Sequence, residues 1–251
     1  MFEYCSANKI IINYDKCCFM EFGLSNSNNS NYNIAILNHS FKQVHECKFL
    51  GIYINSELNW KSQIMHVKSQ VAKATGALNS IKKIVPTKIL RQIYFALVQP
   101  YLVYCSPIWG SLHNSKVFND LFKGQKKAIR VISNQTFKIN YRYANTKPLF
   151  AQHNILTVHN LYYYLLSTES YKILNNKCPS LIYQQFRISN RSVRLILPKF
   201  RLHTLANKSF SLAASKIMNF LLQIDICYNG YTLSSFKTKL KRYLMSNKAC
   251  A

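Results

Sequence analysis

Between positions 60 and 81 the apolar residues repeat at one period. Trp60, Ile64, Val67, Val71, Ala74, Leu78 and Ile81 fall at alternating steps of four and three. That spacing places them on a single stripe of an α-helix of about six turns, one face of which must be buried. Asn59 is suited to the N-cap, and Pro86 stops the pattern. Lys61, Lys68 and Lys82 sit at multiples of seven beside the stripe, with Lys73 and Lys83 nearby, and no acid falls on the segment. A basic line next to an apolar seam can follow a phosphate backbone.

Further helices are predicted downstream. Ile89, Leu90, Ile93 and Leu97 support one from 87 to about 102, which Pro100 kinks or ends. Phe118, Leu121, Gln125, Ala128 and Ile132 define a face of another over 115–132, with Lys123, Lys126, Lys127 and Arg130 largely off that face. Others are predicted over 154–174, 208–222 and 233–244. The first 57 residues differ. Short strand candidates at 18–22, 33–37, 41–44 and 49–54 suggest a small antiparallel sheet, interrupted by the low-complexity loop "GLSNSNNSNYN". Gly51 stands inside the last candidate, where a β-bulge or the close approach of another backbone would explain it. Residues 178–206 read as irregular and basic, with Arg187, Arg191, Arg194, Lys199 and Arg201. The expected class is α+β, mainly α.

Apolar residues make up 49% of the chain, enough for a packed core, but the charge is far from balanced: 33 Lys and Arg stand against 8 Asp and Glu, a net charge of +25. No acid occurs between Glu57 and Asp120, between Asp120 and Glu169, or between Glu169 and Asp225. A fold this basic repels itself unless an anion compensates; nucleic acid is the expected partner, and an anionic membrane surface is the other candidate. Residues 92–115 carry no formal charge and are long enough to span a bilayer. Gln99, Pro100, Pro107 and Gly110 interrupt them, so a buried, kinked helical hairpin is expected and a membrane span is not.

The eight cysteines form no Cys-x-x-Cys pair and the seven histidines are scattered, so no metal site is expected. Glu3 and Lys9 break any signal-peptide pattern; a reduced intracellular compartment, nuclear or cytoplasmic, is expected rather than secretion. Two-metal nucleotidyl chemistry needs carboxylates converging on magnesium. The chain has no D-x-D or D-x-E, no nucleophile motif and no phosphate-cradling glycine loop. Read from its residues alone it is a basic binding scaffold without a catalytic centre.

Seven motifs in order resemble the later part of a reverse transcriptase of the non-LTR retrotransposon family, of the jockey-like or LINE-like kind. "ANKIIINYDKC" matches the family's A-N-K-x-x-x-N-x-x-K-T at Asn8, Lys9, Asn13 and Lys16, with Cys17 in place of threonine. "CKFLGIYI" resembles the primer-grip strand. "LNWKSQI" resembles L-x-W-x-x-H-I, with Gln63 in place of histidine. "IYFALVQPYLVYCSPIWG" resembles the thumb hairpin, and "QKKAIRVI", "TKPLFAQHNIL" and "TLSSFKTKLKRYL" the run beyond it.

The resemblance implies a partial palm over 1–57, a helical thumb over 58–135 and a basic, helical to irregular extension over 136–251. It implies RNA-directed DNA polymerisation for the family. The palm strands that carry the paired aspartates would precede Met1, so this chain is expected to be a truncated copy, inactive alone, that retains no cofactor; Mg2+ belongs to the full-length enzyme. A template–primer duplex of RNA or DNA is the implied partner, and no small-molecule substrate is implied. Phe49, Leu50 and Gly51 would lie against the primer end, and Lys61, Lys68, Lys73, Lys82 and Lys83 would contact phosphates. Lys16 would stand near the incoming nucleotide as an auxiliary group. The competing expectation is a non-enzymatic basic RNA- or DNA-binding protein of unrelated origin.

Overall fold

Glycine and proline place the breaks between elements, and apolar spacing decides which faces turn inward. The computed structural model describes residues 2–22, 34–36, 39–112, 115–133, 145–175, 177, 179, 182, 184, 186–189, 194–199, 209–226 and 230–246. The loop expected over 23–33, and most of the basic segment expected over 178–206 with Arg191 and Arg201, lie outside these residues. The fold is mainly helical α+β, and the chain divides into two compact units, Met1–Ser62 and Gln63–Ala251.

The first unit holds helix α1 (Phe2–Ala7), a 3-10 turn (Tyr14–Lys16), and five short strands: β1 (Cys18–Phe19), β2 (Ile34–Ile36), β3 (His39–Gln43), β4 (Glu46–Phe49) and β5 (Ile52–Asn55). The expected antiparallel sheet is corrected in two respects. β3 lies between β1 and β2, parallel to the first and antiparallel to the second, so this sheet is mixed. The candidate strand over 49–54 is two strands. β4 and β5 form a separate antiparallel hairpin with Phe49 opposite Ile52. Leu50 (φ 46°) and Gly51 (φ 85°) make the two-residue link between them. Positive φ at both central residues is the signature of a type I′ turn, whose twist matches that of the flanking strands. Gly51 is there because the turn requires that conformation, and the bulge reading is set aside. Among the described residues of this unit only Ile52 and Trp60 of the apolar side chains are buried.

Helix α2 (Lys61–Ile81) begins at the end of the first unit. Asn59 Oδ1 accepts from the Lys61 amide at 3.1 Å, and Asn59 is itself held by Asn55 and Glu57. Trp60, Ile64, Val67, Val71 and Leu78 are buried, as the periodicity predicts. Lys82 and Lys83 lie in the turn that follows the helix and not on it, because the chain folds back through bonds from the Ile84 and Val85 amides to the Ile81 carbonyl.

In the second unit the single helix expected from 87 to about 102 is corrected to two, α3 (Thr87–Leu97) and α4 (Gln99–Val103), followed by the short α5 (Ser106–Trp109). Pro100 has no N–H to donate and its ring crowds the carbonyl of residue 96, which divides the helix. Trp109 is fully buried and donates from Nε1 to the Tyr104 carbonyl at 2.7 Å. Among the described residues no helix is long and apolar enough to cross a membrane. α6 (Lys116–Ile132) is capped by Ser115, and Phe118, Leu121, Gln125, Ala128 and Ile132 are buried as predicted. After α7 (Lys147–Gln152), helix α8 (Val158–Leu174) runs through the middle of the unit and packs on α4, α5 and α6 and on the last two helices, α9 (Phe210–Gln223) and α10 (Leu233–Ser246). A two-strand ladder, β6 (Arg187–Ile188) with β7 (Leu195–Ile196), is tied to α9 by Asn219, which bonds both backbone groups of Leu195 at 2.8 Å.

Two contacts lock α8 in place. A Cβ on Gly110 would fall 2.3 Å from Tyr162 Cδ2, so only glycine lets the turn after α5 reach the helix. Gln125 is fully buried and fully used: its amide donates to Tyr94 Oη and the Leu156 carbonyl, both at 3.0 Å, and its oxygen accepts from the Val158 amide at 2.8 Å.

Candidate nucleic-acid interface

In the first unit the hairpin tip presents an apolar surface. Phe49 is 58% exposed and Leu50 74%. Leucine in the left-handed region is uncommon, since its Cβ crowds the following carbonyl at a cost of roughly 1–2 kcal/mol. A turn of this type favours asparagine at that position. Lys9, Leu58, Trp60, Cys105, Asn154 and Asp225 adopt the same left-handed conformation. Lys48, paired across the hairpin with Tyr53, holds its ammonium 5.6 Å from that ring. Lys16 ends the 3-10 turn, exposed, its amide bonded to the Asn13 side chain.

On α2, Lys61, Lys68 and Lys73 are all exposed while the stripe beside them is buried. α6 approaches α2 in the second unit where Gly124 lies over Val71. A Cβ on Gly124 would sit 3.6 Å from Val71 Cγ1. That proximity joins two basic surfaces that sequence reasoning treats as separate. Asp120, the one carboxylate of α6, accepts from Lys123 Nζ at 2.8 Å. This bond, and then the charges of Lys123, Lys68 and Lys116, hold its carboxyl below the usual range. Lys68 of α2 and Lys116 and Lys123 of α6 therefore surround a single acid, and cationic charge remains in excess. The positional signal for this was available in the sequence: Asp120 is the only acid between Glu57 and Glu169. What the periodicity could not give was which helix it would face.

Among the described residues no group of three or more His, Cys, Asp or Glu side chains is placed to hold a metal ion. The chain matches no model of a known protein family, no curated protein and no solved structure. The arrangement offers cationic side chains on helix flanks and, in the first unit, an exposed apolar hairpin tip.

Proposed function

We propose that this chain binds a template–primer duplex as the palm-end and thumb portion of a non-LTR retrotransposon reverse transcriptase, without the means to extend the primer. The hairpin tip carries the reading. The primer-grip motif falls on Phe49, Leu50 and Gly51, and these residues form an exposed apolar tip at which Leu50 holds an unfavourable backbone conformation. The flank of α2, which has no acid among the helix's own residues, supports the same reading, with Lys61, Lys68 and Lys73 as phosphate contacts. Ile10, Ile11, Phe22 and Ile34 of the first unit are exposed as well, apolar surface suited to packing against another protein element.

Leu50→Asn tests it. Asparagine suits the left-handed position, so the hairpin should gain stability while losing its apolar contact. Affinity for a recessed primer–template should fall several-fold, and affinity for a blunt duplex of the same length should not change. Equal effects on the two duplexes would reject the primer-end assignment and leave a basic nucleic-acid-binding surface of unrelated origin.

A further inference from the structure

Within the second unit, a cavity of about 360 Å3 lies where α6, α7, the start of α8 and the end of α10 meet. Its walls include three rings. Phe122 and Phe150 are tilted against each other with centroids 6.0 Å apart, and His159 meets Phe122 edge-on at 4.9 Å. Asn145, Thr146 and Thr157 line it too, so it is not a purely apolar packing void. Thr157 Oγ1 accepts from the Asn160 amide at 3.2 Å, which leaves the hydroxyl proton to donate elsewhere.

The charge on the wall is unbalanced. Lys126 is half-buried with its ammonium 4.2 Å from the Phe122 centroid. Burial pushes its pKa down, and the charges of Arg130 and Lys123 push it further. No carboxylate is among the groups acting on it. Lys147 adds a second cation to the lining. A desolvated ammonium with cationic neighbours favours an incoming anion. A planar aromatic group can take the Phe122 face that the Lys126 ammonium now covers, once that ammonium turns to the incoming anion. The volume sits near the lower end of ligand cavities, roughly 300–1,000 Å3, which admits one such group and not a stack of several.

We infer that this cavity takes one unpaired nucleotide of a single strand, with its base among Phe122, Phe150 and His159 and its phosphate toward Lys126 and Lys147. The inference rests on the nucleic-acid part of the proposed function but not on the primer-end assignment. A paired base cannot enter, so the site would distinguish single strand from duplex. Stacking on aromatic side chains is largely indifferent to base identity, so little sequence preference is expected.

The test uses the full chain and a short single-stranded oligonucleotide with a central 2-aminopurine, alongside a blunt duplex of the same length. Binding should quench the 2-aminopurine of the single strand. Phe122→Leu and Lys126→Gln should each weaken single-strand binding about tenfold, the loss of one stacked base or one desolvated phosphate contact. Met245→Trp, which adds bulk at the half-exposed end of the cavity, should abolish the quench without disturbing the core. None of the three should change affinity for the blunt duplex more than twofold, nor the preference for recessed ends. Should Phe122→Leu unfold the protein, Lys126→Gln and Met245→Trp carry the test. No quench in the wild type, or equal losses on single strand and duplex, would overturn the inference. So would natively folded variants that bind single strand as the wild type does. Leu50→Asn reports on the hairpin alone, so failure of one assignment is separable from failure of the other.

Discussion

His153 is a residue that no spacing rule marks, yet the structure makes it a joint. Arg91 donates from Nε to its backbone carbonyl at 2.7 Å, and its ring lies 2.9 Å from Ser133 Oγ. Ser133 donates its own proton to the Ile129 carbonyl, so the imidazole donates from Nε2. Burial, and then the Arg91 charge, hold its pKa below the ordinary 6.5. The unfolded chain therefore takes up a proton at a pH where the folded protein does not. The stability contributed by the neutral ring is complete above the unfolded pKa, about 6.5, and is lost as pH falls from there through the lower folded pKa. His153→Gln should flatten that part of a plot of melting temperature against pH. Gly110 makes a different kind of demand. Gly110→Ala puts a Cβ against the buried Tyr162 ring, and overpacking of this sort costs about 1–3 kcal/mol, readable from the urea midpoint. Part of that loss should return in Gly110→Ala/Tyr162→Leu, because the two sites are in contact. Gly110 was legible only as a break and His153 only as a lone core or surface histidine; the partners of neither were. A histidine outside any cluster and a glycine after a short apolar run have no local pattern; their meaning comes from partners distant in sequence.

Elements were legible in proportion to their one-sidedness. α2 and α6 each bury one face and leave the other basic, so the period of their apolar residues gives them nearly whole. α8 is buried on most of its surface, including Ser167, Thr168 and Ser170. A helix enclosed on many sides loses its polar stripe, so its sequence gives its existence but not its central place. The hairpin was hidden for another reason. An apolar run over 49–54, broken only by Gly51, looks like a strand, and its turn has leucine where asparagine would have announced it. The site followed the same division: the lysines of α2 were readable from spacing, and their union with Lys116 and Lys123 was not. At this scale the α2 flank makes a measurable claim. Replacing Lys61, Lys68 and Lys73 by Gln should lower the slope of log affinity against log salt on duplex DNA by between two and three, from roughly 0.9 per phosphate contact. Helicity should persist, because glutamine is nearly as good a helix former as lysine. An unchanged slope in a titration from low to moderate salt would remove α2 from the interface.

For the molecule as a whole, charge was the most legible property and architecture the least. All eight acids fall among the described residues, yet no three of the His, Cys, Asp and Glu side chains there gather into a metal-holding group. The proposed function, binding without the means to extend a primer, predicts no nucleotide incorporation in a primer-extension assay on an RNA template with magnesium or manganese, whatever the affinity for the duplex. Template-dependent incorporation above a mock preparation would refute that. The two compact units could not be read from composition, since both are rich in apolar residues and differ in how much of that apolar surface they bury. The central place of α8 has a consequence for biogenesis. A ribosome delivers residues in order, and α4, α5 and α6 leave the exit tunnel before the helix that covers them. Until Val158–Leu174 emerges, Leu102, Trp109 and Phe118 lack the surface they are built to meet. The nascent chain thus passes through an interval of exposed greasy surface whose length is set by the rate of translation, and a pause site ahead of α8 would lengthen the time chaperones must shield it.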